Sequence, residues 1–286
     1  MARKGAVNLN STGHEMTAAR RASAPPAPTG EWVQDTRPAA AAPREASVAR
    51  APYTLPADVA ADVRRAFVGT AYMREKMVVT LTRAAEAYDR HRYDEALRLG
   101  RIVADAVPGV GSVRELTGLA AYRAERWAMS RIHLLAHFDL TQNPEHLPLV
   151  MDCDRANRRF RAVEKVFATL IQHEPTPDVL AEGRIVMAAC WAEQGQLTEA
   201  IDLLVRSGAT KVLRNPGYRH VRLWYALADL YDRAGDVTSA RELFGRVAAA
   251  DPDAYDARQR FADLGSGAPR KNRRRRVTPT SKKKVD

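Results

Sequence analysis

Few residues in this chain have the types and spacing that chemistry requires. His133 and His137 stand four apart, the spacing at which two imidazoles on one helix face share a metal ion. A metal site also needs a third ligand and groups that orient the first two, and no such text accompanies the pair. An ordinary half-buried pair is expected, with no metal and no other cofactor. Cys153 and Cys190 lie 37 residues apart, with no Cys-x-x-Cys spacing. They read as small buried hydrophobes in a reducing compartment. Asp152 and Asp154 point to different faces of a helix and make a poor acid/base pair.

The usual catalytic texts are missing. There is no His-Glu-x-x-His, no Gly-x4-Gly-Lys-Ser/Thr and no Gly-x-Ser-x-Gly. Gly109-Val110-Gly111 follows Pro108 in a turn between helices rather than a strand, which excludes a dinucleotide fingerprint. The chain is therefore expected not to be an enzyme.

Charge is unevenly placed. Of the net +11, residues 1–55 contribute +3 and residues 265–286 contribute +8, which leaves 29 cations and 29 anions balanced over 56–264. The C-terminal cations are Arg270, Lys271, Arg273, Arg274, Arg275, Arg276, Lys282, Lys283 and Lys284. With no aromatic residue among them to stack on bases, they form a candidate polyanion-binding tail, salt-dependent and without sequence preference. Two further basic groups are Arg155, Arg158, Arg159 and Arg161, and Arg214, Arg219, His220 and Arg222. Both read as solvated or acid-balanced surface rather than anion sites.

The elements that position these residues are helical. Apolar residues are 45% of the chain, enough for a core. Residues 1–55, rich in Ala, Pro and Ser, are expected to be a disordered tail, with Trp32 an isolated aromatic inside it. From Pro56 apolar residues recur with a period near 3.6 to about Leu264, with no alternating β-branched run. Residues 265–286 form the second disordered tail. Nothing approaches the run of about 18–20 apolar residues that a membrane helix needs, and the N-terminus lacks the apolar stretch of a secretion signal. A cytoplasmic protein is expected, and heavy Ala and Arg usage suggests a bacterial one.

Three segments share one text. Tyr88 to Ala96, Trp191 to Ala200 and Tyr231 to Ala240 each carry an aromatic, a polar turn and a small Ala. In the last two the turn holds Gly195 and Gly235, where a helix ends at positive φ. In the last segment Trp224, Leu227, Ala228, Tyr231, Gly235, Ala240, Phe244 and Pro252 fall in register. This pattern resembles the tetratricopeptide repeat, of about 34 residues. Weaker copies place His91 and Arg158 where the turn glycine is expected, and repeat starts fall near 77, 111, 144, 181 and 221. Ser207–Gly217 reads as an inserted loop, and helices near 57–69 and 253–264 read as caps.

The resemblance implies an all-α, right-handed α-solenoid of about five helix-turn-helix repeats with flanking cap helices. It also implies a non-enzymatic protein-protein interaction scaffold that takes a peptide or helix in a concave groove lined by the first helix of each repeat. On that register the candidate groove residues are Arg222, Tyr225, Asp229, Asp232 and Arg233, then Glu182 and Ile185, Arg155, and Tyr122 with Arg123. The Lys and Asn clamp by which some members hold acidic chaperone tails is replaced by Leu81 and Ala85, so that partner is not expected. The alternative function is a nucleic-acid- or ribosome-associated accessory protein tethered by the basic tail.

Overall fold

The computed structural model describes residues 53–265; residues 1–52 and 266–286, with Trp32 and the nine C-terminal cations, lie outside the described residues, whereas Tyr53 and Leu55, expected in the N-terminal tail, pack on the core. Among the described residues there are twelve α-helices, one 3-10 turn and no strand. The helices are α1 (Ala57–Ala66), α2 (Ala71–Asp89), α3 (Tyr93–Ala106), α4 (Gly111–Arg123), α5 (Trp127–Thr141) and α6 (Leu147–Ala156). Then follow α7 (Phe160–Gln172), α8 (Pro177–Glu193), α9 (Leu197–Arg206), α10 (Tyr218–Ala234), α11 (Val237–Ala250) and α12 (Ala257–Gly265). Five pairs, α2/α3 to α10/α11, stack in chain order between α1 and α12, and the first helices α6, α8 and α10 also touch one another. This is the expected all-helical repeat architecture.

Five turns with one geometry set the repeat. Each first helix ends on a left-handed residue: His91, Glu125, Arg158, Gly195 and Gly235, with φ of 58°, 58°, 57°, 86° and 88°. Each turn makes the same two backbone bonds. The left-handed residue's N–H donates three residues back (Arg158 N to Arg155 O, 2.8 Å) and the next N–H donates five back (Arg159 N to Asp154 O, 2.8 Å). These bonds satisfy carbonyls that a helix end otherwise leaves without partners. Glycine adopts this backbone freely, whereas His, Glu and Arg adopt it only because packing on both sides demands it.

The second helix then starts two residues later on an apolar side chain: Tyr93, Trp127, Phe160, Leu197 or Val237. Its fourth residue is the close-contact position. Ala96, Ser130, Val163, Ala200 and Ala240 sit there, and all are 0% exposed. The turn residues are 34, 33, 37 and 40 positions apart, so the last two repeats are the stretched ones. The loop between Arg206 and Tyr218 supplies the largest insertion.

Other helix starts are locally encoded. Thr176 Oγ1 accepts from Val179 N at 3.4 Å, with Pro177 in the first turn of α8. Asp236 Oδ1 accepts from Ser239 N at 3.0 Å and caps α11. The core runs the length of the stack. Val63, Leu81 and Val103 fill the N-terminal end, Met151, Val163 and Leu170 the middle, and Leu204, Leu227 and Phe244 the C-terminal end. Each such side chain contributes about 1.5–3 kcal/mol when fully buried. Where α4 crosses α5 the helices are so close that a Cβ on Gly118 would sit 2.6 Å from Leu134 Cδ2.

Candidate functional site

The first helices α4, α6, α8 and α10 carry the candidate groove residues, and these helices are buried over most of their length. In α10 every residue from Val221 to Leu230 is buried. A helix apolar on one face and charged on the other reaches that state only if its polar face also finds partners. Those partners come from the neighbouring repeats.

At the C-terminal end, Arg222 pairs with Glu182 of α8, and its Nη1 donates to the Tyr218 hydroxyl at 3.2 Å. Burial works to lower the Arg222 pKa, but Glu182 and the two nearby tyrosines outweigh it and hold the guanidinium charged. Tyr225 donates to Asp256 Oδ1 at 2.5 Å, just ahead of α12. Burial, then the Asp256 carboxylate, raises the Tyr225 phenol above its ordinary value. Arg260 of α12 bridges Asp229 (2.7 Å) and Asp232 (2.8 Å), and its guanidinium lies 4.3 Å from the Phe244 ring centroid. Arg233 donates to the Ala192 carbonyl at 3.1 Å, and Ile185 is an apolar core residue at 1% exposure.

The middle of the stack is joined in the same way. Tyr122 donates to Asp152 Oδ2 at 2.7 Å, and Arg155 donates to Asp152 Oδ1 through Nε (2.9 Å) and Nη2 (2.7 Å). The remaining arm of Arg155 pairs with Glu193 of α8. Arg155 is only 4% exposed, so this is an internal bridge between the third and fourth pairs rather than a solvated group. Burial, then Asp152, pushes the Tyr122 phenol well up. Arg123 is exposed and lies 5.8 Å from the Tyr93 ring centroid.

The structure thus brings the candidate groove residues together, but across the seams between repeats. Tyr122, Glu193, Asp232 and the exposed Arg123 and Arg233 keep surface at the C-terminal ends of their helices. Arg222, Tyr225, Asp229, Arg155 and Ile185 lie beneath. A surface cleft of about 410 Å³ lies elsewhere, between α3 and the start of α5, lined by Leu97, Arg98, Arg101, Ile102 and Arg126 among others.

The basic groups are mostly balanced. Arg159 and Arg131 approach Asp154 at 3.6 and 2.7 Å, Arg158 lies over Phe160, and Arg219 pairs with Asp178 at 3.1 Å. Cys153 and Cys190 are free thiols in the interior, and burial pushes both up to about 12.

His133 and His137 do not share a site. Arg114 Nη1 donates to His133 Nδ1 at 3.2 Å, and burial, then Arg114, lowers His133 to about 4. His137 instead meets two residues that sequence spacing gave no reason to join to it. These are Glu115 in α4 and His146 in the 3-10 turn Pro144–His146. His146 Nε2 donates to Glu115 Oε1 at 2.7 Å, and His137 Nδ1 donates to the Gly111 carbonyl at 3.0 Å.

Residues 221–264 match the family model described as Tetratricopeptide repeat, a span that takes in most of α10, all of α11 and most of α12. The comparison with curated proteins returns no match. The chain carries a tetratricopeptide repeat, and that repeat suggests a protein-protein interaction scaffold with a protein partner. Among the described residues, no helix is long and apolar enough to cross a membrane.

Proposed function

We propose that this chain is a non-enzymatic scaffold of the cytoplasm that holds a peptide or helix of a protein partner along the first-helix side of its stack. The tetratricopeptide repeat at 221–264 carries this reading. The charged seams support it. The side chains of Arg123, Tyr122, Glu193, Asp232 and Arg233 are each held by a neighbouring repeat or the terminal helix before any partner arrives, which lowers the entropy lost on binding. Cations and anions both occur along that edge, so the matching partner segment carries both signs around apolar anchors. Arg222, Tyr225, Asp229, Arg155 and Ile185 act beneath the contact surface, as the support that fixes it.

The test is a crosslinking pull-down from the native host with the full chain, repeated after nuclease treatment and with residues 268–286 deleted. A protein partner that survives both treatments and is lost on Arg123→Glu with Arg233→Glu supports the scaffold. Partners that vanish with nuclease or with the tail would replace it by a nucleic-acid-associated accessory protein.

A further inference from the structure

The geometry points to a buried site for one divalent transition-metal ion of the zinc class, formed by His137 Nε2, His146 Nε2 and the Glu115 carboxylate. The three residues come from α5, the 3-10 turn before α6, and α4, so the ion would pin the second helical pair to the third. All three are nearly sealed from solvent, at 1%, 2% and 2% exposure. One ligand atom from each lies within 4.8 Å of the other two.

Two of those groups have a hydrogen-bonding site with nothing to bind. The Gly111 carbonyl can only accept, so His137 Nδ1 carries the hydrogen and Nε2 presents its lone pair. That Nε2 is buried without a partner, and so is Glu115 Oε2. A buried polar atom without a partner is uncommon in a native fold and calls for a physical reason. The bond from Nδ1–H to a backbone carbonyl is also the arrangement that fixes the tautomer and ring orientation of a metal-ligating histidine. Glu115 Oε1 already receives the His146 Nε2 hydrogen at 2.7 Å. An ion would take the place of that hydrogen, which passes to His146 Nδ1 or to solvent.

The dimensions are close to those required. Ligands bound at about 2.0–2.2 Å around a tetrahedral ion stand roughly 3.3 Å apart. The His146–Glu115 pair is already nearer than that, and the other separations, within 4.8 Å, would have to shorten on binding. Two imidazoles and one carboxylate favour a zinc-class ion over calcium or magnesium, which take oxygen ligands. The fourth position falls to Glu115 Oε2 or a water. A lone buried water joining Nε2 to Oε2 is the competing occupant.

The experiment uses the untagged full chain stripped with a chelator and titrated with zinc chloride by calorimetry. Cobalt chloride provides a visible spectrum and zinc X-ray absorption counts the imidazoles. One ion per chain is expected, with two imidazoles in its shell and the visible absorption of a four-coordinate cobalt centre. His137→Gln and His146→Gln should each weaken binding roughly a hundredfold or more. His133→Gln, one helical turn from His137, should leave it unchanged. No saturable binding at one equivalent would overturn the proposal, as would full affinity in the folded His137→Gln/His146→Gln variant. If those variants do not fold, the unaltered chain decides. A zinc shell without two imidazoles, or a water found between Nε2 and Oε2 in zinc-saturated protein, overturns it.

Discussion

Replacing Gly118 by Ala sets two effects of known sign against each other. Alanine is the better helix former by about 1 kcal/mol, so on an exposed helix the change would stabilise. In α4 the new Cβ would lie 2.6 Å from Leu134 Cδ2, 2.7 Å from Leu134 Cγ and 3.1 Å from Leu134 N. Carbon atoms in contact prefer about 3.5–4.0 Å. Rotation about the end of the Leu134 side chain moves Cδ2 but neither Cγ far nor the backbone nitrogen at all, and Leu134, 0% exposed, cannot turn outward into solvent. Helices α4 and α5 must separate, at an overpacking cost of about 1–3 kcal/mol. The expected result is net destabilisation of up to about 2 kcal/mol. Stacked repeats can unfold in parts, so the assay is native-state hydrogen exchange at the α4 and α5 amides alongside urea unfolding. Leu134→Ala alone should cost about 3–5 kcal/mol through its cavity. Combined with Gly118→Ala it should cost less than the sum, because the new methyl occupies part of that cavity. A stabilising Gly118→Ala, or strict additivity with Leu134→Ala, would refute the close-approach argument.

Three other outcomes are expected. At the turns, Arg158→Gly should stabilise by about 0.5 kcal/mol by relieving a left-handed non-glycine residue, and Gly235→Ala should destabilise by about 1 kcal/mol, both read by urea unfolding. Arg155→Met should cost about 3–5 kcal/mol because it strands Asp152 and Glu193 as unpaired acids, and a loss under about 1 kcal/mol would show that the bridge is dispensable. His133 has a folded pKa of about 4 against an ordinary 6.5, lowered by burial and then by Arg114. Its folded form binds fewer protons than the unfolded chain across that window. Its contribution is therefore complete above pH 6.5 and lost as pH falls towards 4, and His133→Gln should flatten that limb of a stability–pH curve.

The repeat at Trp224 to Pro252 was legible because its turn carries glycine and its framework residues keep family spacing. At the earlier turns the register placed His91 and Arg158 at the glycine position, but residue type gave no sign of the left-handed backbone there or at Glu125. His91, Glu125 and Arg158 hold the glycine geometry through packing on either side, a property of the assembled stack rather than of local text. Candidate groove residues could be named from the register, but their surroundings could not. Spacing along one helix says which side chains share a face, yet not that Tyr122 and Glu193, from two other helices, close on the Asp152–Arg155 pair of α6. Glu115 and His146 escaped for the same reason. They are 31 residues apart, one on a helix and the other on a single 3-10 turn. His133 and His137 share the spacing that suggests partnership, but each faces a different neighbour.

The seams are joined by different sets of side chains. Arg123 and Tyr93 meet between the first two pairs, the Asp152–Arg155–Glu193 bridge joins the third and fourth, and Arg222–Glu182 joins the fourth and fifth. Asp229 and Asp232 receive Arg260 only from the terminal helix. The modules are consequently not interchangeable. Duplicating or deleting one helical pair would set an acid against an acid, or strand a guanidinium in the interior, so this array cannot grow or shrink by whole repeats without rewriting its joints.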